Sequence, residues 1–150
     1  MAQTKISGSL GCARPAFHQV MEVGDRAGHT MALSQRACVW TQPLRIEGAI
    51  SKEDVLYLFT DAREDGARET GYNTVVMSNG DRIFMHYAMY YNSFLRNNGP
   101  KPASSTGTFA LSGGTGKFLG IYGSGTSVAN CAADGKMTIR VEGQYTLPRF

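Results

Sequence analysis

Apolar residues along this chain recur with a period of two. The last stretch shows it most cleanly: Met137, Ile139, Val141, Tyr145 and Leu147 alternate with Thr138, Arg140, Glu142, Gln144 and Thr146, the pattern of a strand with one buried and one wet face. Tyr72 to Met77 and Arg82 to Tyr87 flank Ser78-Asn79-Gly80-Asp81, and Asn-Gly between two β-rich runs predicts a hairpin. With Asn79 and Gly80 as the two loop residues, Asn73 faces His86, Val75 faces Phe84 and Met77 faces Arg82 on one side, with Tyr90 further along it. Asp134-Gly135 marks a turn between Ser127 to Ala132 and Lys136 to Leu147, and the stretch from Gly24 to Gly28 marks another between strands at Ala16 to Val23 and His29 to Ser34.

Between these hairpins the pattern is less regular. Ala37 to Gly48 reads as extended, with an edge or bend at Pro43, which cannot donate to a ladder. Val55 to Thr60 reads as a strand, or the stretch from Ser51 to Gly71 contains one helical turn. The mixed charges from Asp61 to Glu69 predict a solvated loop, and Asn92 to Thr106, rich in Asn, Gly and Pro, predicts a long connection in which Asn97 to Ser104 could fold over a cavity as a lid. Gly113, Gly114, Gly116, Gly120, Gly123 and Gly125 exclude a helix from Ser112 to Thr126, each costing about 1 kcal/mol there relative to Ala. A strand over Gly107 to Leu111, a tight turn over Ser112 to Lys117 and a kinked strand over Phe118 to Thr126 are expected instead. The GGTGK run is no phosphate loop: the flanking glycine is misplaced, and Lys117 is followed by strand-like FLGIYG where a helix would have to open.

These elements sum to about eight antiparallel strands with no crossover helix, which predicts an all-β fold. The architecture expected is one domain over residues 1–150, a single closed antiparallel eight-stranded barrel with a small apolar lumen. Closure would remove the exposed edges.

Composition agrees: of 150 residues 18 are Gly, 10% are aromatic and 18% charged. The net charge of +3 is spread along the chain, so nucleic acid is not an expected partner. No apolar run approaches the roughly 18 residues of a membrane span. The first residues carry no apolar signal core, so a cytoplasmic location is expected unless a signal was removed. Cys12, Cys38 and Cys131 lie far apart with no CxxC spacing. A zinc site is disfavoured, and three reduced, buried thiols are expected, at most one disulfide being possible.

Candidate chemistry comes from polar residues on strands that otherwise look buried. His86 beside Asn73 would offer a donor and an acceptor to a ligand carbonyl, epoxide or hydroxyl, with His18 or Glu22 supplying acid, base or charge from the first strand. Tyr90, Trp40, Phe84, Val75 and Pro43 would form the ligand wall. The competing reading puts His18 and Glu22 at the rim, Trp40 in the core or an interface, and Asn73 with His86 in a structural hydrogen bond.

The stretch GTFALSGGTGKFLGIYGSGT, followed by a hairpin and a last strand ending VEGQYTL, resembles the C-terminal half of the allene oxide cyclase-like barrel proteins, a superfamily that includes the plant dirigent proteins. The likeness covers Gly107 to Leu147. It implies the barrel, and either of two functions. One is a cofactor-independent cyclase or isomerase holding a small hydrophobic, unsaturated or epoxide-bearing substrate with a few polar groups and a bound water. The other is a non-catalytic hydrophobic-ligand binder or dirigent-like template. No metal or cofactor is implied, and a homodimer or homotrimer is.

Overall fold

A computed structural model describes residues 3–91, 95–96, 99–100 and 103–149, among which there is no α-helix. The strands of the closed ring are β1 (Thr4–Cys12), β3 (Thr30–Gln42), β5 (Ala49–Arg63), β6 (Gly66–Met77), β7 (Arg82–Tyr91), β10 (Ala103–Gly114), β11 (Tyr122–Cys131) and β12 (Met137–Thr146). They run β1-β12-β11-β10-β7-β6-β5-β3, every neighbour antiparallel, and β3 returns to β1 to close the eight-stranded barrel. Two further strands lie outside the ring: β2 (Phe17–Glu22) along β3, and the two-residue β4 (Arg45–Ile46) along β5. A short ladder joins β8 (Leu95–Arg96) to β9 (Gly99–Pro100).

Period-two alternation builds the interior. Leu56, Leu58, Thr60 and Ala62 on β5 turn inward with Ala67, Glu69, Asn73, Val75 and Met77 on β6, while Tyr57, Phe59 and Tyr72 face out. Ile83, Met85, Met89 and Tyr91 continue the inner face on β7. Gly71 is required by this packing: a Cβ there would lie 2.2 Å from the Tyr57 carbonyl oxygen and 2.9 Å from the Tyr87 hydroxyl.

The two barrel ends are built differently. At one, a single 3-10 turn at Gly116–Phe118 buries Phe118 and Ile121, and the segment between β3 and β5 buries Leu44 and Ile46. The Lys117 ammonium donates to the Glu47 carbonyl and ties the two plugs together. Gly116 sits at φ +53 with the Asp81 carboxylate where a Cβ would be. At the other end Arg36 donates to the carbonyls of Ala13 and Gly135, at 3.1 and 2.6 Å. There the His29 imidazole bridges Asp25 and Asp61 at 2.6 and 2.7 Å, which fastens the β2–β3 turn to β5. Both carboxylates raise the His29 pKa. No helix among the described residues is long and apolar enough to cross a membrane.

Several expectations are corrected. The β6–β7 ladder is offset by one residue: Tyr72 pairs with His86 and Asn73 with Met85. The turn is longer than the Asn-Gly pair alone, with Met77 accepting from Gly80 and donating to the Asp81 carbonyl. The charged run expected as a loop is strand except at Glu64 and Asp65, with Arg63 and Arg68 facing out between inward Ala62, Ala67 and Glu69, and with β3 and β7 pairing along it. Phe118 belongs to the plug, so the returning strand starts at Tyr122. Of the proposed lid, Asn97, Asn98, Lys101 and Pro102 lie outside the described residues, and Ala103 and Ser104 already belong to β10. Finally, β1 was not expected, and through it Cys12 stands opposite Cys38. The two form a disulfide, leaving Cys131 free.

Candidate functional site

The lumen holds a buried polar cluster among apolar side chains. On β6, Glu69 lies across the ladder from Thr60, whose hydroxyl donates to its carboxylate at 3.0 Å. The Tyr91 hydroxyl is 3.4 Å from the other carboxylate oxygen. Burial raises the Glu69 pKa, opposed by the Thr60 hydrogen bond, the Arg36 charge and the Tyr91 hydroxyl. One layer further along, the Asn73 amide donates to Asp54 at 3.0 Å. Asp54 is almost wholly buried, which pushes its carboxyl up to about 7 against the pull of the Asn73 amide, the Trp40 indole and the Val55 N–H. Trp40 acts from beyond hydrogen-bonding geometry, since its indole nitrogen has no partner by distance and angle.

Between these two acid sites stands Tyr87. Its hydroxyl is buried without a hydrogen-bond partner. Burial first, then the charges of Glu69, Tyr91 and Asp54, hold its pKa well above the ordinary phenol value, so at neutral pH it is an O–H donor. The Asp54 Oδ1 and the Asn73 Oδ1 are also unpartnered.

A void of about 20 Å³ adjoins this cluster, bounded by Glu69, Asn73, Tyr87 and Tyr91 and by apolar Trp40, Leu56, Met85, Met89 and Met137. That is room for about one water molecule. Asp54 stands behind Asn73, outside this lining. The arrangement offers a void-lining carboxyl of raised pKa and a phenol donor within electrostatic range of each other, in a mostly apolar enclosure. Such a pair can exchange a proton with a bound molecule and hydrogen-bond an oxygen on which charge develops. Three of the lining apolar residues are methionines, whose unbranched side chains repack at low cost.

The residues singled out from the sequence divide between inside and outside. Asn73, Trp40 and Val75 are buried in the lumen, with Val75 paired across the ladder with Asp54. His86 is on the outer face, its ring 6.4 Å from that of exposed Tyr72. Tyr90 is outside too, beneath the Arg68 guanidinium at 5.7 Å, and Phe84 shares that outer side. His18 and Glu22 are exposed on β2 outside the ring, and Pro43 is half-buried in the bend after β3. The lumen thus brings Asn73 and Trp40 together and leaves His86, His18 and Glu22 apart from them.

Asp54, Glu69, Tyr87 and Tyr91 did not stand out in the sequence, although alternation carried the signal. Asp54 is in phase with Leu56 and Leu58, Glu69 with Ala67 and Val75, and Tyr87 with Met85 and Met89. A titratable residue in register with a buried apolar face is a lumen candidate.

No protein-family model matches this chain, and no curated protein matches it in sequence.

Proposed function

We propose that this barrel is a cofactor-independent isomerase or cyclase of the allene oxide cyclase-like kind, acting on a small hydrophobic molecule held in the lumen. The observation that carries the reading is the pairing of Glu69 with the unpartnered Tyr87 hydroxyl on the wall of one apolar void. In its protonated form Glu69 donates to a substrate oxygen, and in its ionised form it withdraws a proton from carbon. Tyr87 stabilises the oxygen on which charge develops. The proton removed at one position returns at another, so neither a redox partner nor a second substrate is consumed. Asp54 acts through Asn73, whose amide it fixes, and is a positioning residue. The likeness of Gly107 to Leu147 to that superfamily supports the same reading. The Cys12–Cys38 disulfide favours an oxidising compartment over the cytoplasm expected at first. The exposed apolar side chains outside the barrel favour a homo-oligomer.

A second reading, a binder or template without turnover, is favoured by the small free volume, since a void with room for about one water must enlarge to admit anything larger. One experiment separates the two. The chain is incubated with an allylic epoxide of an unsaturated fatty acid, substrate loss and product stereochemistry are followed by chiral chromatography, and retained small molecules are read by native mass spectrometry. Catalysis predicts enantioselective product that falls about 100-fold or more in Glu69→Gln and in Tyr87→Phe, both of which keep the bound mass. Equal conversion by Glu69→Gln and the parent chain refutes the role of Glu69. A retained molecule with no conversion by either establishes the binder.

A further inference from the structure

β2 is a strand with one partner. Among the described residues its only ladder is with β3, and all of its residues are exposed. The backbone groups it leaves free follow from one hydrogen bond. The Val23 N–H donates to the His29 carbonyl at 3.0 Å, in the same register as the pairs from Phe17 with Gln35 to Glu22 with Thr30. In an antiparallel ladder such hydrogen-bonded pairs alternate with pairs whose groups point away. Phe17, Gln19 and Met21 therefore aim their N–H and C=O groups at β3, while His18, Val20 and Glu22 aim theirs outward. Neither proline nor lysine interrupts this edge. Phe17, Val20, Met21 and Val23 are between 43% and 68% exposed, so among the described residues neither proline, lysine nor a covering element protects this edge. β4, which also lies outside the ring, is only two residues long.

We infer that β2 pairs antiparallel with β2 of a second copy of this chain, with Val20 on the two-fold axis, joining two barrels edge to edge. The sequence of the strand is complementary to itself in this register and no other. With Val20 opposite Val20, His18 stands opposite Glu22 of the second copy and Glu22 opposite its His18, an imidazole N–H facing a carboxylate on each side of the axis. These three residues are the ones whose backbone groups point outward, so each N–H meets a carbonyl. On the opposite face Phe17 comes against Val23 and Gln19 against Met21. A slip of two residues either way sets His18 or Glu22 against Val20 and loses both polar pairs. A slip of four sets His18 against His18, or Glu22 against Glu22. An isologous contact of this kind closes at two copies. The inference stands on the strand edge alone and is independent of what the lumen does.

Sedimentation equilibrium of the intact chain over roughly 1 to 100 µM, the range expected of a small interface, tests it. The mass should rise from 16.2 kDa toward twice that value. Val20→Pro deletes the outward N–H at the axis without touching the β3 ladder, and should weaken association about tenfold or more. His18→Glu sets carboxylate against carboxylate at both polar pairs and should weaken it about tenfold. The exchange His18→Glu with Glu22→His restores both pairs and should restore association. The exposed side chains of His18 and Glu22 make no hydrogen bond or ion pair with other described residues, so these variants carry the test even if Val20→Pro disturbs the hairpin. A chain monomeric throughout this range, a dimer indifferent to His18→Glu, or a double exchange that fails to rescue each overturns the inference.

Discussion

Replacing Asp54 by Asn makes the energetics of the lumen measurable. Burial raises the carboxyl from 3.8 to about 7, so between these values the folded chain holds a proton that the unfolded chain has lost. Folding stability therefore falls as pH rises through this window. At about 1.36 kcal/mol per pKa unit, a shift of roughly 3 units amounts to about 4 kcal/mol lost between pH 4 and pH 8. Asn occupies the same volume and does not titrate, so the stability of Asp54→Asn relative to the parent should rise by about 4 kcal/mol across the same interval. Any constant cost of the amide shifts the whole curve and leaves that rise intact. Glu69 titrates with the same sign, but it is present in both proteins and cancels in the difference. Urea unfolding at half-unit pH steps measures it. The same rise corresponds to about 8 to 16 °C in relative melting temperature for a chain of this size. A difference that stays flat from pH 4 to 8 would refute the claim that Asp54 is held near neutrality by burial.

Two further outcomes follow from the packing. Thiol titration in denaturant without reductant should find one reactive thiol, Cys131, and Cys12→Ala with Cys38→Ala should cost about 3 kcal/mol, as expected for a bridge spanning 26 residues; three titratable thiols would remove the disulfide. Phe118→Ala, at a fully buried position in the plug, should cost about 3 to 5 kcal/mol in urea unfolding, and a loss below about 1 kcal/mol would show that the plug does not close the barrel.

Much of the barrel was legible because alternation is a property of the chain itself. The inner face of β12 can be read directly from Met137, Ile139 and Val141; on β7 alternation separates Met85, Tyr87 and Met89 from Phe84, His86 and Tyr90 but leaves open which set is buried, and the second set, expected to line the lumen, faces out. The turns at Asn79-Gly80 and Asp134-Gly135 are local too, set by the left-handed conformation that Gly80 and Gly135 adopt at φ +88. Register is not local. Whether Asn73 faces His86 or Met85 depends on one residue in the turn, and that residue decides which side chains share a face. The charged run from Asp61 to Glu69 likewise could be recognised as strand only once β3 and β7 lay alongside it and took up its backbone hydrogen bonds.

What the sequence determined by itself is a β-rich chain with an apolar inner face and polar residues set into it. Tertiary structure alone decided that Glu69, Tyr87 and Asn73, on two different strands, would meet at one void; that Cys12 would meet Cys38; and that His86 and Tyr90 would face outward. Closing the ring fixes the offset between strands far apart in sequence, and burial within it raises the carboxyls of Asp54 and Glu69, because desolvation depends on what surrounds a group in space and not on its neighbours along the chain.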